Sequence, residues 1–270
     1  MDDPGGSGEI GARALVLAAR ITGHLNAVSP PAIAGSPASN LTHRILVQLD
    51  ANPAGIAPSV LAELLEVDRS VISRALADLD RHRIVTRRVE AHDRRYVRVR
   101  LSARGRREMA TYSESIRSVL PVIAPLADEL LTIVGDEGSD APTPVTPAIA
   151  ADRLAAYGVG VVPRLVEEER ERGVTHWSQR FALWVVCDLR STSPARIAEL
   201  LLLPRDTIEV ALAALEEREL VEPVGASEPT FRATDRGNAL TAAHADIVLD
   251  PRGGLRAALA SVHAAAAMPA

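Results

Sequence analysis

The stretch that decides the fold is residues 61–88, LAELLEVDRSVISRALADLDRHRIVTRR. Just before it, Pro58 predicts a short helix over residues 58–66, because proline is tolerated in the first turn of a helix. Asp68 is a good N-cap for a second helix, Arg69–Arg81, whose apolar residues recur at helical spacing. This stretch therefore predicts two helices joined by a short turn.

The residues that follow alternate as strands do. We predict strands over residues 84–89 and 96–101, joined by the loop 91–95, AHDRR. Valine and leucine lie on one face of the second strand, and Arg98 and Arg100 lie on the other. Two helices followed by such a hairpin make a winged helix-turn-helix.

Longer helices are predicted on either side of this motif. Residues 10–28 and 41–49 have helical apolar patterns, and Ser102 is a good N-cap for a helix that extends towards residue 131. We expect Pro121 and Pro125 to kink or break that last helix. The terminal helices are apolar enough to need a partner, so they are predicted to form a pairing layer.

The central stretch has a second copy. Residues 197–224, IAELLLLPRDTIEVALAALEERELVEPV, align with residues 61–88 without a gap, and 11 of the 28 positions are identical. The similarity resumes where residues 232–237 align with residues 100–105, four residues out of step. We predict two tandem winged helix-turn-helix units in a chain that is mainly α with small β wings.

Composition sets the domain boundaries and the compartment. Residues 135–147 are rich in Gly, Pro, Asp and Thr and are predicted to link a domain over 1–134 to a domain over 148–270. The single cysteine, Cys187, excludes a disulfide framework within one chain. No apolar run is long enough for a membrane span, and the acidic N-terminus is unlike a secretory signal, so we expect a cytoplasmic protein.

The first unit resembles the multiple-antibiotic-resistance regulator (MarR) family. The resemblance lies in the runs LAE (61–63), VDRSVISR (67–74) and DRR (93–95), and in VRLS (99–102) followed by a glycine at 105. It covers about residues 10–133, whereas the second copy matches only in its apolar framework. The resemblance implies a dimer of winged helices, often a repressor, with a small-molecule pocket between the DNA-binding and pairing layers.

Charge separates the two copies. Residues 69–107 contain 13 arginines and four acids, an excess of nine positive charges, although the whole chain has a net charge of −5. Residues 205–236 contain four arginines and eight acids, an excess of four negative charges. A solvated charged face is the plainer reading of such a run, but here the arginines lie on the two elements that a winged helix presents to DNA. We therefore predict that the first unit binds double-stranded DNA and that the second does not bind it in the same way.

The first turns of helix Arg69–Arg81 are expected to face base edges in the major groove. The serines there suit phosphate or base contacts, and Arg74 can form a forked contact with a guanine. Arg69 recurs as Arg205 in the second copy, so it either contacts DNA or has a structural role. The wing loop is expected in the minor groove, where the resemblance pairs Asp93 with one of the two arginines that follow it. The predicted DNA-binding residues are Arg69, Ser70, Ser73, Arg74, Arg88, Asp93, Arg94 and Arg95.

Other chemistry is limited. Trp177, Phe181 and Trp184 form a helical stripe that is either core packing or a pocket for an apolar or aromatic effector. Cys187 lies in the same apolar helix and is interpreted as a buried, inert thiol rather than an oxidant sensor. The seven histidines show no zinc spacing, and no catalytic motif is present, so we predict neither a metal site nor an enzyme.

Two functions are compatible with these sequence features. The first is a DNA-binding transcriptional regulator, released by a small ligand. The second is a protein-interaction or ligand-sequestering module that uses winged helices as a scaffold. We favour pairing of the two copies within one chain, and also expect a homodimer, because a single reading head would bind an operator weakly.

Overall fold

The structure, a computed structural model, describes residues 4–28, 40–89, 97–135, 145–225 and 229–267. We call residues 4–135 the front half and residues 145–267 the back half. The front half comprises α1 (Pro4–Val28), α2 (Asn40–Ala51), α3 (Pro58–Leu65), α4 (Arg69–Arg81), β1 (Val85–Val89), β2 (Val97–Leu101) and α5 (Ala103–Val134). The back half comprises α6 (Pro147–Arg170), α7 (Trp177–Leu189), α8 (Pro194–Leu201), α9 (Arg205–Glu216), β3 (Val221–Val224), β4 (Thr230–Ala233), α10 (Asp235–Val248), a 3₁₀ turn (Pro251–Gly253) and α11 (Leu255–Ala266). The predicted class, mainly α with small β hairpins, is confirmed.

The helix-turn-helix of the front half is stabilised by the N-cap and by the apolar face that the sequence predicts for α4. The Asp68 carboxylate accepts a hydrogen bond from the Ser70 amide at 2.6 Å, which caps α4. One face of α4 is buried through Ile72, Leu76 and Leu79, and the opposite face is exposed. The predicted bounds of α4 are confirmed.

The hairpin is attached to the helices by backbone contacts. Strands β1 and β2 pair antiparallel, and Ile56, ahead of α3, adds a bridge to Val99 of β2. The Ser102 hydroxyl caps α5 and donates to the Arg83 carbonyl at 2.7 Å. Gly105 lies so close to Ile84 that a Cβ there would be 2.1 Å from the Ile84 carbonyl oxygen. Only glycine allows α5 to start at this point.

The same order of elements recurs in the back half, from α7 to β4. Thr192 bridges to Phe231 of β4 as Ile56 does to Val99. The Thr234 hydroxyl donates to a backbone carbonyl at the start of the hairpin, and a Cβ at Gly237 would be 2.1 Å from the Leu220 carbonyl oxygen. The back half therefore repeats both the order of elements of the front half and the contacts that attach its hairpin. We call α2–β2 the front unit and α7–β4 the back unit.

The long helices after the two hairpins differ. Helix α5 continues through Pro121 and Pro125, so of the predicted kink or break the break is wrong, and the kink stays a prediction. Both prolines are exposed, and carbonyls that lose a helical partner on an exposed face can bond to water. The corresponding helix of the back half is interrupted by the 3₁₀ turn between α10 and α11.

The two halves pack through their first helices and through the contact of α5 with α11. Helix α1 contacts α5 of its own half and α7 and α10 of the back half, while α6 contacts α2 and α5 as well as α10 and α11. Arg13 of α1 pairs with Asp188 of α7 at 3.4 Å, and Arg44 of α2 lies 3.8 Å from Asp152 of α6. Each half therefore contributes a helix that lies against the unit of the other. The boundaries at 134 and 148 stay a prediction.

Within the described residues, no helix combines the length and the apolar character that crossing a membrane requires.

Candidate nucleic-acid interface

The outer face of α4 carries the polar residues that the sequence singled out. Arg69, Ser70, Ser73 and Arg74 are all exposed. Bonds from the Ser70 hydroxyl and amide lower the pKa of Asp68, so the cap is a carboxylate at neutral pH. The first two turns of α4 therefore present two guanidinium groups and two hydroxyls to solvent.

The outer face of the front hairpin extends this cationic surface. The strand register places Arg88 opposite Arg98 and Thr86 opposite Arg100, so these four side chains share a face. The three arginines are exposed. Like charges placed directly opposite each other destabilise a hairpin, and a polyanion such as DNA would relieve that repulsion. The sequence showed the alternation of Arg98 and Arg100, but they were not among the predicted DNA-binding residues.

Nearby acids do not draw these arginines inward. The Arg69 guanidinium lies 3.6 Å from the Glu63 carboxylate, and the two side chains keep 75% and 70% of their exposure. Arg81 pairs with Asp78 at 2.5 Å, again at the surface. Exposed pairs of this kind are worth little and exchange readily for phosphate. The cationic face points to solvent.

The predicted wing tip, Asp93, Arg94 and Arg95, lies outside the described residues, so its role stays a prediction.

The back unit has a different surface on the same scaffold. Arg205, the counterpart of Arg69, is paired with Glu209 at 2.7 Å. In the hairpin, Arg232 pairs with Glu222 across the strands at 2.5 Å. Val210, at the position of Arg74, is a valine with 71% of its surface exposed. Both pairs are exposed, like those of the front unit, so the difference between the units lies in the balance of charge: residues 205–236 contain eight acids and four arginines.

A winged helix with an outward cationic face defines a class of DNA-binding proteins. Comparison with protein families refines this class, because residues 37–95 match the model of the MarR family. This part of the front half is therefore similar to the MarR family, and the match supports a DNA-binding transcriptional regulator in general. No curated protein matches the chain.

A cavity of about 640 Å³ lies between the two halves. Of the three aromatic residues predicted for an effector pocket, Phe181 and Trp184 line this cavity, with their rings 5.2 Å apart. Trp177 is not among its lining residues. It is 42% exposed and lines a smaller neighbouring cavity of about 390 Å³. The predicted stripe is therefore divided between two cavities.

A buried polar cluster behind these aromatics was not predicted. The Arg180 guanidinium donates to both Glu169 carboxylate oxygens, at 2.5 and 2.7 Å, and both side chains are nearly fully buried. The Trp184 indole donates to Nδ1 of His244 at 2.9 Å, and burial lowers the pKa of His244 to about 3. Sequence spacing gives no signal for this cluster, because it joins α6, α7 and α10.

Cys187 is close to the Thr241 hydroxyl, at 3.1 Å. Burial raises the pKa of the Cys187 thiol to about 11, so at neutral pH it is protonated and a poor nucleophile. This supports the interpretation of an inert thiol. Across the part of the chain that the structure describes, no group of three His, Cys, Asp or Glu side chains is placed to hold a metal ion.

Proposed function

We propose that α4 reads the major groove and that the front hairpin tracks the adjacent backbone and minor groove. Arg74 and Ser73 would contact base edges, with Arg69 and Ser70 on bases or phosphates. The hairpin would contribute Arg88 and the tip residues Asp93, Arg94 and Arg95. The observation that carries this proposal is the contrast between the exposed arginines of the front unit, where residues 69–107 hold 13 arginines and four acids, and the acidic surface of the back unit, where residues 205–236 hold four arginines and eight acids.

We infer that the back unit is a degenerate second copy that pairs with the front unit inside one chain. Support comes from the hairpin contacts that the two units share and from the helices that each half lays against the other. Such a chain has one reading head. Binding to a two-part operator would therefore need two chains, so we expect a homodimer on DNA.

The regulatory part of the proposal is that the protein is a cytoplasmic repressor released by a small apolar or aromatic ligand. The cavity lined by Phe181 and Trp184 supports this part, because it lies where the halves meet. A ligand there can change how they pack.

A titration of the full chain against a labelled duplex from its own upstream region tests the DNA proposal. We expect tighter binding than to a scrambled duplex, and steep weakening between two salt concentrations. Reversing the charges of Glu217 and Glu219 in the back unit serves as the control and should change affinity little. Equal binding to both duplexes at each salt concentration would show that the protein does not recognise a base sequence, and would contradict the proposal.

A second candidate function is protein docking by the back unit. The exposed Val210 favours it, because an apolar side chain has replaced the arginine of the reading helix in an acidic setting. Docking there would add to DNA binding by the front unit rather than replace it.

A further inference from the structure

Helix α6 presents an exposed apolar stripe. Val159, Val162 and Val166 recur at helical spacing and share one face, and each keeps 45% or 46% of its surface exposed. Val161 and Leu165 lie on another face of the same helix and are buried in the core. The described part of the chain therefore buries only one of the two apolar faces of α6.

Trp177 extends this stripe. Its side chain lines the cavity of about 390 Å³ together with Val162 and Val166. Val159 and Val162 also line the larger cavity, so the stripe runs past both. Single exposed apolar residues are ordinary in a globular protein, but a contiguous patch that includes a tryptophan is typical of a protein interface. We call Val159, Val162, Val166 and Trp177 the α6 stripe.

The corresponding helix of the front half has no such stripe. Helix α1 packs against α5, α7 and α10, and of the large apolar side chains described for it only Ile10 is exposed. Helix α6 contacts α2 and α5 of the front half and buries residues of its first turns, whereas one face is open from Val159 onwards. Among the described residues, the packing of the two halves therefore leaves the α6 stripe uncovered.

The charges along α6 indicate what would cover the stripe. Near the start of the helix, Arg153 is exposed and donates to the Ser261 hydroxyl. Near its end, the exposed acids Glu167 and Glu171 outnumber the exposed Arg170. Opposite charges at the two ends suit antiparallel contact with a second copy of the same helix, because each end would then face the opposite end of its partner.

We propose that two chains associate through the α6 stripe, with their α6 helices antiparallel about a two-fold axis near Val162. In that register, Val159 lies opposite the partner's Val166, and Arg153 lies beside the partner's Glu171. A two-fold interface requires such a self-complementary patch. The patch is smaller than the interface of a permanent dimer, so we expect association in the micromolar range. The inference deepens the homodimer part of the proposed function and rests on it only for operator binding.

Sedimentation equilibrium of the full chain without DNA tests the interface. We expect the wild type to change from monomer to dimer between about 1 and 100 μM. Val162→Glu should weaken dimerisation at least about tenfold, because two carboxylates would meet near the axis. The matched control is Val122→Glu, at a similarly exposed valine of α5 that lines neither cavity, and it should dimerise like the wild type. A wild type that stays monomeric, or equal weakening by both variants, would overturn the proposal.

A charge exchange tests the antiparallel register. Arg153→Glu or Glu171→Arg alone would place like charges side by side at both symmetry-related contacts, so we expect each variant to dimerise at least about threefold more weakly than the wild type. Mixing the two variants in equal amounts would restore opposite charges at both contacts. The mixture should therefore dimerise like the wild type, and a mixture that dimerises no better than either variant alone would contradict the proposal.

DNA titrations of the same samples separate this inference from the DNA proposal. The changed positions are all exposed, so each variant should keep the wild-type urea midpoint. A chain that stays monomeric without DNA but binds its own upstream duplex selectively refutes only the α6 interface. A chain that dimerises as expected but binds the scrambled duplex equally well refutes only the DNA proposal.

Discussion

Arg74 and Val210 occupy the same position in two equivalent helices, yet one is a cation and the other an exposed valine. The buried neighbours of each are alike, because Ile72 and Leu76 correspond to Ile208 and Leu212. Burial therefore accounts for the residues that the units share, and we infer that contact with other molecules accounts for those that differ. The sequence alone allowed this comparison, since the alignment needs no gap.

Arg74→Ala should lower affinity for the operator by about 1–3 kcal/mol, with the loss concentrated at one base pair. The reason is the loss of a forked contact that phosphate binding elsewhere does not replace. Fluorescence anisotropy with single-base operator variants measures it. Arg205→Ala, which removes an ion-paired arginine from the back unit, is the matched control and should bind like the wild type. The same affinity loss at every base pair would assign Arg74 to the phosphate backbone instead.

Glu169→Ala should lower the free energy of unfolding by about 3–5 kcal/mol, because it leaves the Arg180 guanidinium buried without its carboxylate. Glu167→Ala, on the exposed face of the same helix, should change it by no more than about 0.5 kcal/mol. Urea denaturation of the two variants makes the comparison. Similar urea midpoints for the two variants would show that the ion pair between Arg180 and Glu169 contributes little to stability. Nothing in the sequence distinguished Glu169 from its acidic neighbours.

At the level of elements, predictions held where local rules decide the structure. The bounds of α4 follow from the Asp68 cap and the apolar spacing, and the hairpin follows from alternation. The continuation of α5 through Pro121 and Pro125 was not predicted, because exposure of the two prolines depends on how the helix packs. Position on a helix surface is a tertiary property, and the sequence pattern around a proline does not report it.

Replacing Arg88 and Arg98 together with alanine should flatten the salt dependence of DNA binding. Each lost phosphate contact reduces the slope of log K against log salt by about 0.9, so the double variant should lose nearly two. Removing the repulsion between them should offset the loss of the hydrogen bond from Arg98 to the Gly55 carbonyl, so the hairpin should stay intact. The control is Arg232→Ala, whose partner is Glu222. An unchanged slope in the double variant would exclude this face from the interface.

On the scale of the whole molecule, the sequence predicted a pairing layer, and the resemblance implied a pocket beside it, but only Phe181 and Trp184 of the lining residues were named in advance. The cavity depends on where residues from α1, α2, α6 and α7 meet, and no single helix carries its pattern. The same holds for the cluster around His244, which joins residues about 60 or more positions apart. Contacts between faces of different helices are set by packing geometry, which periodicity leaves open.

Stability should fall between pH 6.5 and about 4. Burial lowers the pKa of His43 to about 4 and that of His244 to about 3, whereas both return to about 6.5 on unfolding. Below pH 6.5 the unfolded chain therefore binds protons that the folded chain does not. Each histidine should remove about 2 kcal/mol from the free energy of unfolding at pH 5 relative to pH 7.

Urea denaturation at the two pH values measures this loss. His43→Phe should reduce the difference in the free energy of unfolding between pH 7 and pH 5 by about 2 kcal/mol, the contribution of one histidine. An identical difference in wild type and variant would show that His43 does not contribute.

The helices that follow the two hairpins also set how the molecule can deform. Helix α5 is continuous over 32 residues, although Pro121 and Pro125 each remove one backbone donor from it, whereas its counterpart is interrupted at Pro251–Gly253. Bending a continuous helix strains many hydrogen bonds, and turning about a short connection strains few. We therefore expect asymmetric motion, in which the back unit turns about the Pro251–Gly253 connection while the front unit stays attached to the continuous helix α5.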